Sequence, residues 1–143
     1  MKIAIASDHG GYSMKKFLAG YLLGRGYEIL DLGTDSTDSV DYPAFGKACG
    51  EAVSSGQAQK GIVVCGTGIG ISIAANKVKG IRCALCTSVE MAKLSRQHND
   101  SNILALGGRI LNEETAVKIA DAWLSTGFEG GRHERRVKAL DEI

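Results

Sequence analysis

Short apolar runs alternate with longer segments of helical spacing along the whole chain. The short runs are almost continuously apolar, as in parallel strands that are covered on both faces. The predicted strands are Lys2 to Ser7, Glu28 to Leu32, Gly61 to Val64, Arg82 to Cys86 and Ile103 to Leu106. The predicted helices are Ser13 to Arg25, Pro43 to Ser55, Gly70 to Lys77, Val89 to Gln97 and Glu113 to Ser125, with a last helical stretch from Arg132.

Strands that alternate with helices indicate βαβ units with right-handed crossovers and a parallel sheet. We therefore predict an α/β fold, a Rossmann-like three-layer sandwich that forms a single domain over residues 1–143. Its five-stranded parallel sheet is expected in the order 2-1-3-4-5, followed by a C-terminal helix. In that order the ligand crevice opens between strands 1 and 3.

The composition is that of an ordinary globular protein, with 44% apolar and 23% charged residues. The formal net charge of +1 gives no basic field for nucleic acid and no acidic tail. The chain begins without a basic stretch before a long apolar run, so we expect no signal peptide and no membrane span. The expected location is the cytoplasm.

Three of the four cysteines, Cys49, Cys83 and Cys86, are predicted to be buried core residues rather than disulfide partners. Cys83 and Cys86 have CxxC spacing on a predicted strand, which places them on opposite faces roughly 10 Å apart. That distance excludes a redox pair or a metal clip. Because the three histidines lack a nearby carboxylate cluster, we predict neither a metal site nor a cofactor.

Two glycine-containing loops fall at the predicted crevice, Asp8 to Gly11 after strand 1 and Cys65 to Gly70 after strand 3. Glycines between a strand and a helix let successive N–H groups converge on an anion. The second loop lacks the Lys-Ser/Thr pair of a Walker loop, and a cysteine phosphatase would need arginine where Ile71 stands. Cys65 lies where a helix dipole favours a thiolate, which is a useful base.

Each charged side chain at the other candidate positions allows a structural interpretation beside a functional one. Asp8 can cap the following helix, and His98 can interact with the carbonyls at a helix C-terminus. Arg132 and Arg136 stand four residues apart and share one helix face. Such a pair suits a phosphate dianion, although on spacing alone a solvated basic face is the simpler interpretation.

Five segments together closely resemble type B ribose-5-phosphate isomerases, and the related isomerases of allose and galactose 6-phosphate share the pattern. These segments are Asp8 to Gly11, Asp41 to Pro43, Cys65 to Lys77, Ser95 to Asp100 and Gly130 to His133. The resemblance runs along nearly the whole chain. It implies an aldose–ketose isomerase that interconverts ribose 5-phosphate and ribulose 5-phosphate in the non-oxidative pentose phosphate pathway.

The resemblance also implies a metal-independent mechanism. Cys65 moves a proton from C2 to C1 through a cis-enediolate, with the Thr67 hydroxyl near the migrating proton. The backbone amides of residues 66–70 form the anion hole. His98, aided by Asp8, opens the furanose ring. The implied substrate-binding residues are Asp8, His9, Tyr42, Gly66, Thr67, Gly68, Ile69, Gly70, Asn99, Arg109, Arg132 and Arg136.

Within that set, the residues divide by the part of the sugar phosphate that they contact. Asn99 holds the reacting end and Tyr42 lines the sugar site. The phosphate is gripped by the charged members, which are His9, Arg109, Arg132 and Arg136.

Two other functions compete with this one. A non-catalytic phosphate- or nucleotide-binding module of the flavodoxin type needs the loops but not Cys65, His98 or the arginine pair. A phosphoacceptor signalling domain needs an aspartate at the end of strand 3, where Cys65 stands.

The predicted sheet geometry also bears on assembly. His98 ends a helix of about nine residues, so it lies roughly 13 Å back from the edge that carries Cys65. A homodimer, or a tetramer built from such dimers, brings His98 of one chain to Cys65 of another. We therefore predict a homo-oligomer with active sites shared between subunits.

Overall fold

The computed structural model describes all residues from 1 to 143 and has five strands and six α-helices. The strands are β1 Lys2–Ser7, β2 Glu28–Asp31, β3 Lys60–Cys65, β4 Cys83–Leu85 and β5 Ile103–Gly107. The helices are α1 Tyr12–Gly24, α2 Tyr42–Ser54, α3 Ile69–Asn76, α4 Val89–Asn99, α5 Glu113–Ser125 and α6 Arg132–Asp141. Every element predicted from the sequence is present, and its ends lie within two residues of the prediction.

The helix ends follow from local sequence. The side chains of Ser88 and Asn112 accept hydrogen bonds from the first turns of α4 and α5, and Pro43 lies in the first turn of α2. A single turn of 3-10 helix, His9–Gly11, joins β1 to α1. None of the helices combines the length and the apolar character needed to cross a membrane.

All five strands are parallel, but their order is 2-1-3-5-4 instead of the predicted 2-1-3-4-5. The prediction of the last two positions was wrong. All residues of β5 are buried, so this strand needs a neighbour on both sides. The shorter β4 is only partly buried along its length and forms the edge. The crevice between β1 and β3 is unaffected, because these two strands remain neighbours.

The exchange of β4 and β5 changes which face α4 covers. The chain passes from β4 back to β5, and a right-handed crossover in that direction lies on the face of α1 and α5. Helices α2 and α3 cover the opposite face. Ala92 of α4 accordingly packs in one core with Leu18 of α1 and Ile119 of α5. Helix α6 lies outside this layer, against α4.

Each sheet face has its own apolar core, and all four cysteines lie in these cores, Cys65 at the end of β3. Cys83 packs into the α2–α3 core and Cys86 into the α1–α4–α5 core, so the pair lies on opposite faces as predicted. Cys49 and Cys86 are buried, whereas Cys83 is partly exposed. Burial raises the pKa of the Cys49 thiol to about 12 and also raises the pKa of Cys83 and Cys86. All three remain uncharged thiols.

Candidate active site

The loops that follow β1 and β3 meet at the carboxyl edge of the sheet, as the strand order requires. Ser7 pairs with Val64 in the β1–β3 register, and the amide of Asp8 donates to the carbonyl of Val64 at 3.3 Å. A Cβ atom on Gly10 would lie 3.2 Å from the amide nitrogen of Gly66. The two loops therefore touch, so the prediction that they lie side by side at one edge of the sheet is confirmed.

Cys65 is the last residue of β3 and is 4% exposed. Its Sγ accepts a hydrogen bond from the backbone N–H of Gly68 at 3.2 Å. Four residues later the chain is already in α3, whose N-terminus carries partial positive charge. Both the amide dipole and the helix dipole favour negative charge on this sulfur.

The loop conformation depends on Gly68. Its φ is +81°, and a Cβ there would lie 2.6 Å from Leu85 Cδ1 and 2.8 Å from the carbonyl carbon of Leu106. Only glycine fits this left-handed and crowded position. The tight turn carries the chain from β3 into α3 while keeping the Gly68 N–H on Cys65.

The amides of this loop fall into two groups. The N–H of Gly68 is used by Cys65, and the N–H of Ile69 donates to the Thr67 hydroxyl at 3.1 Å. The N–H groups of Gly66, Thr67 and Gly70 donate to no other group in the chain. An anion hole built from residues 66–70 therefore has three donors at its disposal without any rearrangement.

Two further predicted residues of this edge, Arg109 and Tyr42, lie at the loops. The Arg109 side chain lies across Gly10 and Gly66. A Cβ atom added to Gly10 would be 3.4 Å from Arg109 Cζ, and one added to Gly66 would be 3.5 Å from Arg109 Nη1. The ring of Tyr42 lies against Gly70, whose added Cβ would be 2.6 Å from it.

His9 Nδ1 lies 3.1 Å from the Val40 nitrogen, just before α2. Asp8 is almost buried, and its carboxylate accepts from the Gly11 N–H at 3.0 Å, so the predicted capping role is confirmed. These contacts leave the His9 imidazole anchored at one nitrogen only.

A second group of predicted residues lies at the opposite edge of the sheet. Helix α4 ends at Asn99, whose carbonyl accepts from the Arg82 guanidinium at 3.1 Å, and Arg82 directly precedes β4. Four strand residues separate the start of β5 from its end beside Cys65, a distance of about 13 Å. Within one chain, His98 and Asn99 therefore lie far from Cys65.

The N-terminus of α6 lies beside His98. The rings of His98 and His133 stack with centroids 4.3 Å apart and an interplanar angle of 16°. Arg132 and Arg136 flank His133 on this helix, and both are exposed. The arginine pair thus belongs to the group of His98 and Asn99, not to the group of Cys65 and Arg109.

Sequence reasoning missed His133 and its neighbour Glu129. Burial, followed by the charges of His98 and Arg132, lowers the pKa of His133. The only signal in the sequence was helical spacing, since His133 and Val137 are four apart and both buried. The stack itself joins residues thirty-five positions apart, which no local pattern reveals.

The sequence is similar to that of known proteins over nearly its whole length. The Ribose/Galactose Isomerase family matches residues 3–140. Ribose-5-phosphate isomerase B of Escherichia coli K12 is 48% identical over 142 residues, covering 99% of this chain and 95% of that protein.

Two solved structures are similar over nearly their whole length. Ribose-5-phosphate isomerase B of Clostridium thermocellum is 57% identical with a TM-score of 0.99, covering 100% of this chain and 97% of that one. The Mycoplasma genitalium enzyme of the same name, solved with bound ribulose-5-phosphate, is 40% identical with a TM-score of 0.94. The match with it covers 99% of this chain and 94% of that chain.

Proposed function

Because this chain belongs to the ribose and galactose isomerase family, we propose that it interconverts ribose 5-phosphate and ribulose 5-phosphate. The observation that carries the proposal is Cys65, a strand-end thiol that accepts an amide hydrogen bond beside unpaired loop amides. A binding module has no use for such a thiol. The bound ribulose-5-phosphate of the Mycoplasma genitalium enzyme supports the choice of substrate.

The proposed reaction is a proton transfer. The Cys65 thiolate removes the C2 proton of the open-chain aldose, and the resulting cis-enediolate receives that proton at C1 while the proton of the C2 hydroxyl passes to the C1 oxygen. Negative charge develops on the substrate oxygens, next to the N–H groups of Gly66, Thr67 and Gly70. Each well-aimed donor of this kind stabilises the transition state by about 3 kcal/mol. These amides supply the electrophile, so the proposed mechanism uses neither metal nor cofactor.

Phosphate binding and ring opening are assigned to side chains from both edges of the sheet. His9 and Arg109 lie at the Cys65 edge, and Arg132 and Arg136 lie beside His98 at the other. We propose that His98, with Asp8, opens the furanose ring and that Asn99 holds the reacting end. A single chain cannot bring all of these groups to one sugar.

A second copy of the chain completes the site in this proposal. The apolar surface around edge strand β4, which we term the β4 edge, consists of the exposed residues Ile69, Ile73, Met91 and Leu94 and the half-buried Leu85. The four isoleucine, methionine and leucine side chains on the helices are between 39% and 56% exposed. A homodimer through this surface removes apolar area from water.

The β4 edge is also continuous with both halves of the site. Ile69 follows the Cys65 loop directly, and Leu94 lies one helical turn before His98. None of the cavities of the single chain is lined by Cys65. A two-fold dimer encloses two equivalent sites at once, each with Cys65 from one chain and His98 from the other.

The test is a set of kcat/KM measurements on ribose 5-phosphate, allose 6-phosphate and galactose 6-phosphate, made with the same preparation. We expect ribose 5-phosphate to be the best substrate and EDTA to leave its rate unchanged. A higher kcat/KM on a six-carbon phosphate identifies the chain as an isomerase of that sugar instead. Absence of turnover on all three contradicts the proposal and favours a binding module. Since these phosphates are intracellular metabolites and all four cysteines are free, we also place the chain in the cytoplasm.

A further inference from the structure

Three side chains with metal-binding atoms come together where α4 ends and α6 begins. They are His98, His133 and Glu129, and their ligand atoms all lie within 4.8 Å of one another. One of these separations, 3.6 Å, joins Glu129 Oε1 to His133 Nε2. Two imidazoles and one carboxylate form a donor set that catalytic zinc sites use. The isomerase role employs only His98 of the three.

We propose that His98, His133 and Glu129 bind a divalent transition-metal ion such as Zn²⁺, and that the bound ion inhibits the isomerase. The inhibitory part rests on the proposed function, because it follows from His98 being the ring-opening residue. An imidazole nitrogen that coordinates the ion cannot exchange a proton with the sugar. The binding part rests on the cluster alone.

The cluster must rearrange locally to close around an ion. Ligand atoms at about 2.1 Å from a tetrahedral ion are about 3.4 Å from each other, so a separation of 4.8 Å must shrink by about 1.4 Å. The lone pair of an imidazole nitrogen lies in the ring plane, and the two rings are stacked at 16°. The rings must therefore also turn out of the stack so that both lone pairs point to the ion. Glu129 is exposed, and its side chain is free to rotate. Its backbone is already held against α4, since the Glu129 N–H donates to the carbonyl of Gln97 at 3.1 Å.

Protonation and charge decide which ions bind. Burial lowers the pKa of His133, which favours the neutral ring whose nitrogen offers a lone pair. Arg132 and Arg136 add positive charge nearby. This charge opposes ions held mainly by electrostatics, whereas imidazole ligands favour Zn²⁺, Cu²⁺ and Ni²⁺ over Mg²⁺.

The binding experiment is calorimetric titration of the EDTA-treated, dialysed protein with ZnCl₂ and, as a control, with MgCl₂. We expect one Zn²⁺ per chain and no heat from Mg²⁺. Glu129→Gln should weaken Zn²⁺ binding by roughly tenfold or more. Its matched control is Glu134→Gln. Glu134 is an exposed residue in the first turn of α6 and lies outside the cluster. Because Glu129 is exposed, this variant tests the proposal even if a His133→Asn variant fails to fold.

A second variant tests whether Zn²⁺ binds to the cluster or to the Cys65 thiol, which can itself bind zinc. Cys65→Ala should retain the full stoichiometry and affinity. Loss of Zn²⁺ binding in Cys65→Ala, or unchanged binding in Glu129→Gln, overturns the proposed site.

The activity experiment measures isomerisation at rising ZnCl₂ concentration. We expect wild-type activity to fall as the titrated site fills and to return with EDTA. Glu129→Gln should match wild type without zinc and require roughly tenfold more Zn²⁺ for the same inhibition. A filled site with an unchanged rate overturns the inhibition. If no sugar phosphate is isomerised at all, the proposed function fails while the calorimetric result still decides the metal site.

Discussion

The four cysteines show how the surroundings of one residue type separate chemistry from packing. Cys49, Cys83 and Cys86 sit in apolar cores, and burial raises the pKa of each thiol. Cys65 is buried as well, but it lies at a strand end just before α3, with an N–H donor 3.2 Å from its sulfur. Hydrogen bonds to the backbone of Ile62 and to the side chain of Ser95 also act on Cys49 and Cys86, but there the effect of burial is larger. In the proposed mechanism, the position in the fold and not the residue type selects Cys65 as the base.

Replacing Cys65 by alanine should remove the base and leave the binding groups in place. We expect kcat to fall by about 10²- to 10⁴-fold, while ribulose 5-phosphate binding measured by calorimetry stays within a few-fold of wild type. Cys83→Ala is the matched control, because it removes a partly exposed thiol that has no role in the site. Equal turnover in Cys65→Ala and wild type would refute the assignment of the base.

The two arginines of α6 should act on phosphate binding. Arg132→Met or Arg136→Met removes a charged hydrogen-bond donor, worth about 1.5–3 kcal/mol, so KM for ribose 5-phosphate should rise roughly 10- to 100-fold. Lys138→Met is the control, since this exposed cation stands two residues after Arg136 and lies on another face of the same helix. If all three variants raise KM equally, or none does, the pair is only a solvated basic face.

At the scale of elements, the sequence predicted every strand and helix but not the strand order. Buried parallel strands are marked by continuous apolar runs, which are local patterns. The position of a strand within the sheet depends on partners distant in sequence. Residues 103–107 form an entirely buried run, while the run of β4 is short and follows the charged Arg82. That contrast could have identified β4 as the edge strand.

Some residues of the candidate site could be predicted from local patterns, whereas others depend on contacts between segments distant in sequence. The loops after β1 and β3 follow from the rule that parallel strands end at one edge, so Asp8, His9 and Cys65 were found from the pattern. The roles of Arg109 and Asn99 came only from family resemblance. The stack of His98 on His133 depends on how α6 packs on α4, and no spacing in the sequence encodes it.

The contact between α2 and α3 gives a prediction at this scale. Gly70→Ala places a methyl group 2.6 Å from the Tyr42 ring, which is 41% exposed and can swing away. We expect the free energy of unfolding to change by less than about 1 kcal/mol, while kcat/KM falls roughly tenfold because Tyr42 and the Gly70 N–H move. Circular dichroism melting and steady-state kinetics measure the two effects.

The control for that variant is Gly20→Ala in α1. No atom lies within 4 Å of a Cβ added at Gly20, so the substitution should stabilise the helix by about 0.5–1 kcal/mol and leave the kinetics unchanged. A Gly70→Ala variant with wild-type kcat/KM would show that Tyr42 does not line the sugar site.

At the scale of the whole molecule, the site residues form two groups at opposite edges of one sheet. Cys65 and Arg109 lie at the carboxyl edge, and His98 and the α6 arginines lie at the amino edge. The exposed β4 edge runs between the two groups. In the proposed dimer, this separation gives two complete sites, because each chain offers one half of the site at each edge.

Mixing of inactive variants tests whether the sites are shared. Cys65→Ala and His98→Asn are unfolded together in equal amounts and refolded. Random pairing makes half of the dimers mixed, and each mixed dimer has one site with both native residues, so about a quarter of wild-type activity should return. The matched mixture combines wild type with the Cys65→Ala/His98→Asn double variant, whose mixed dimers have no intact shared site. That mixture should also give about a quarter of wild-type activity, whereas sites contained within single chains would give about half. The shared site is refuted if dimers form, the mixture of Cys65→Ala with His98→Asn stays inactive, and the mixture of wild type with the double variant has half of wild-type activity. Cys65 and His98 then act within one chain.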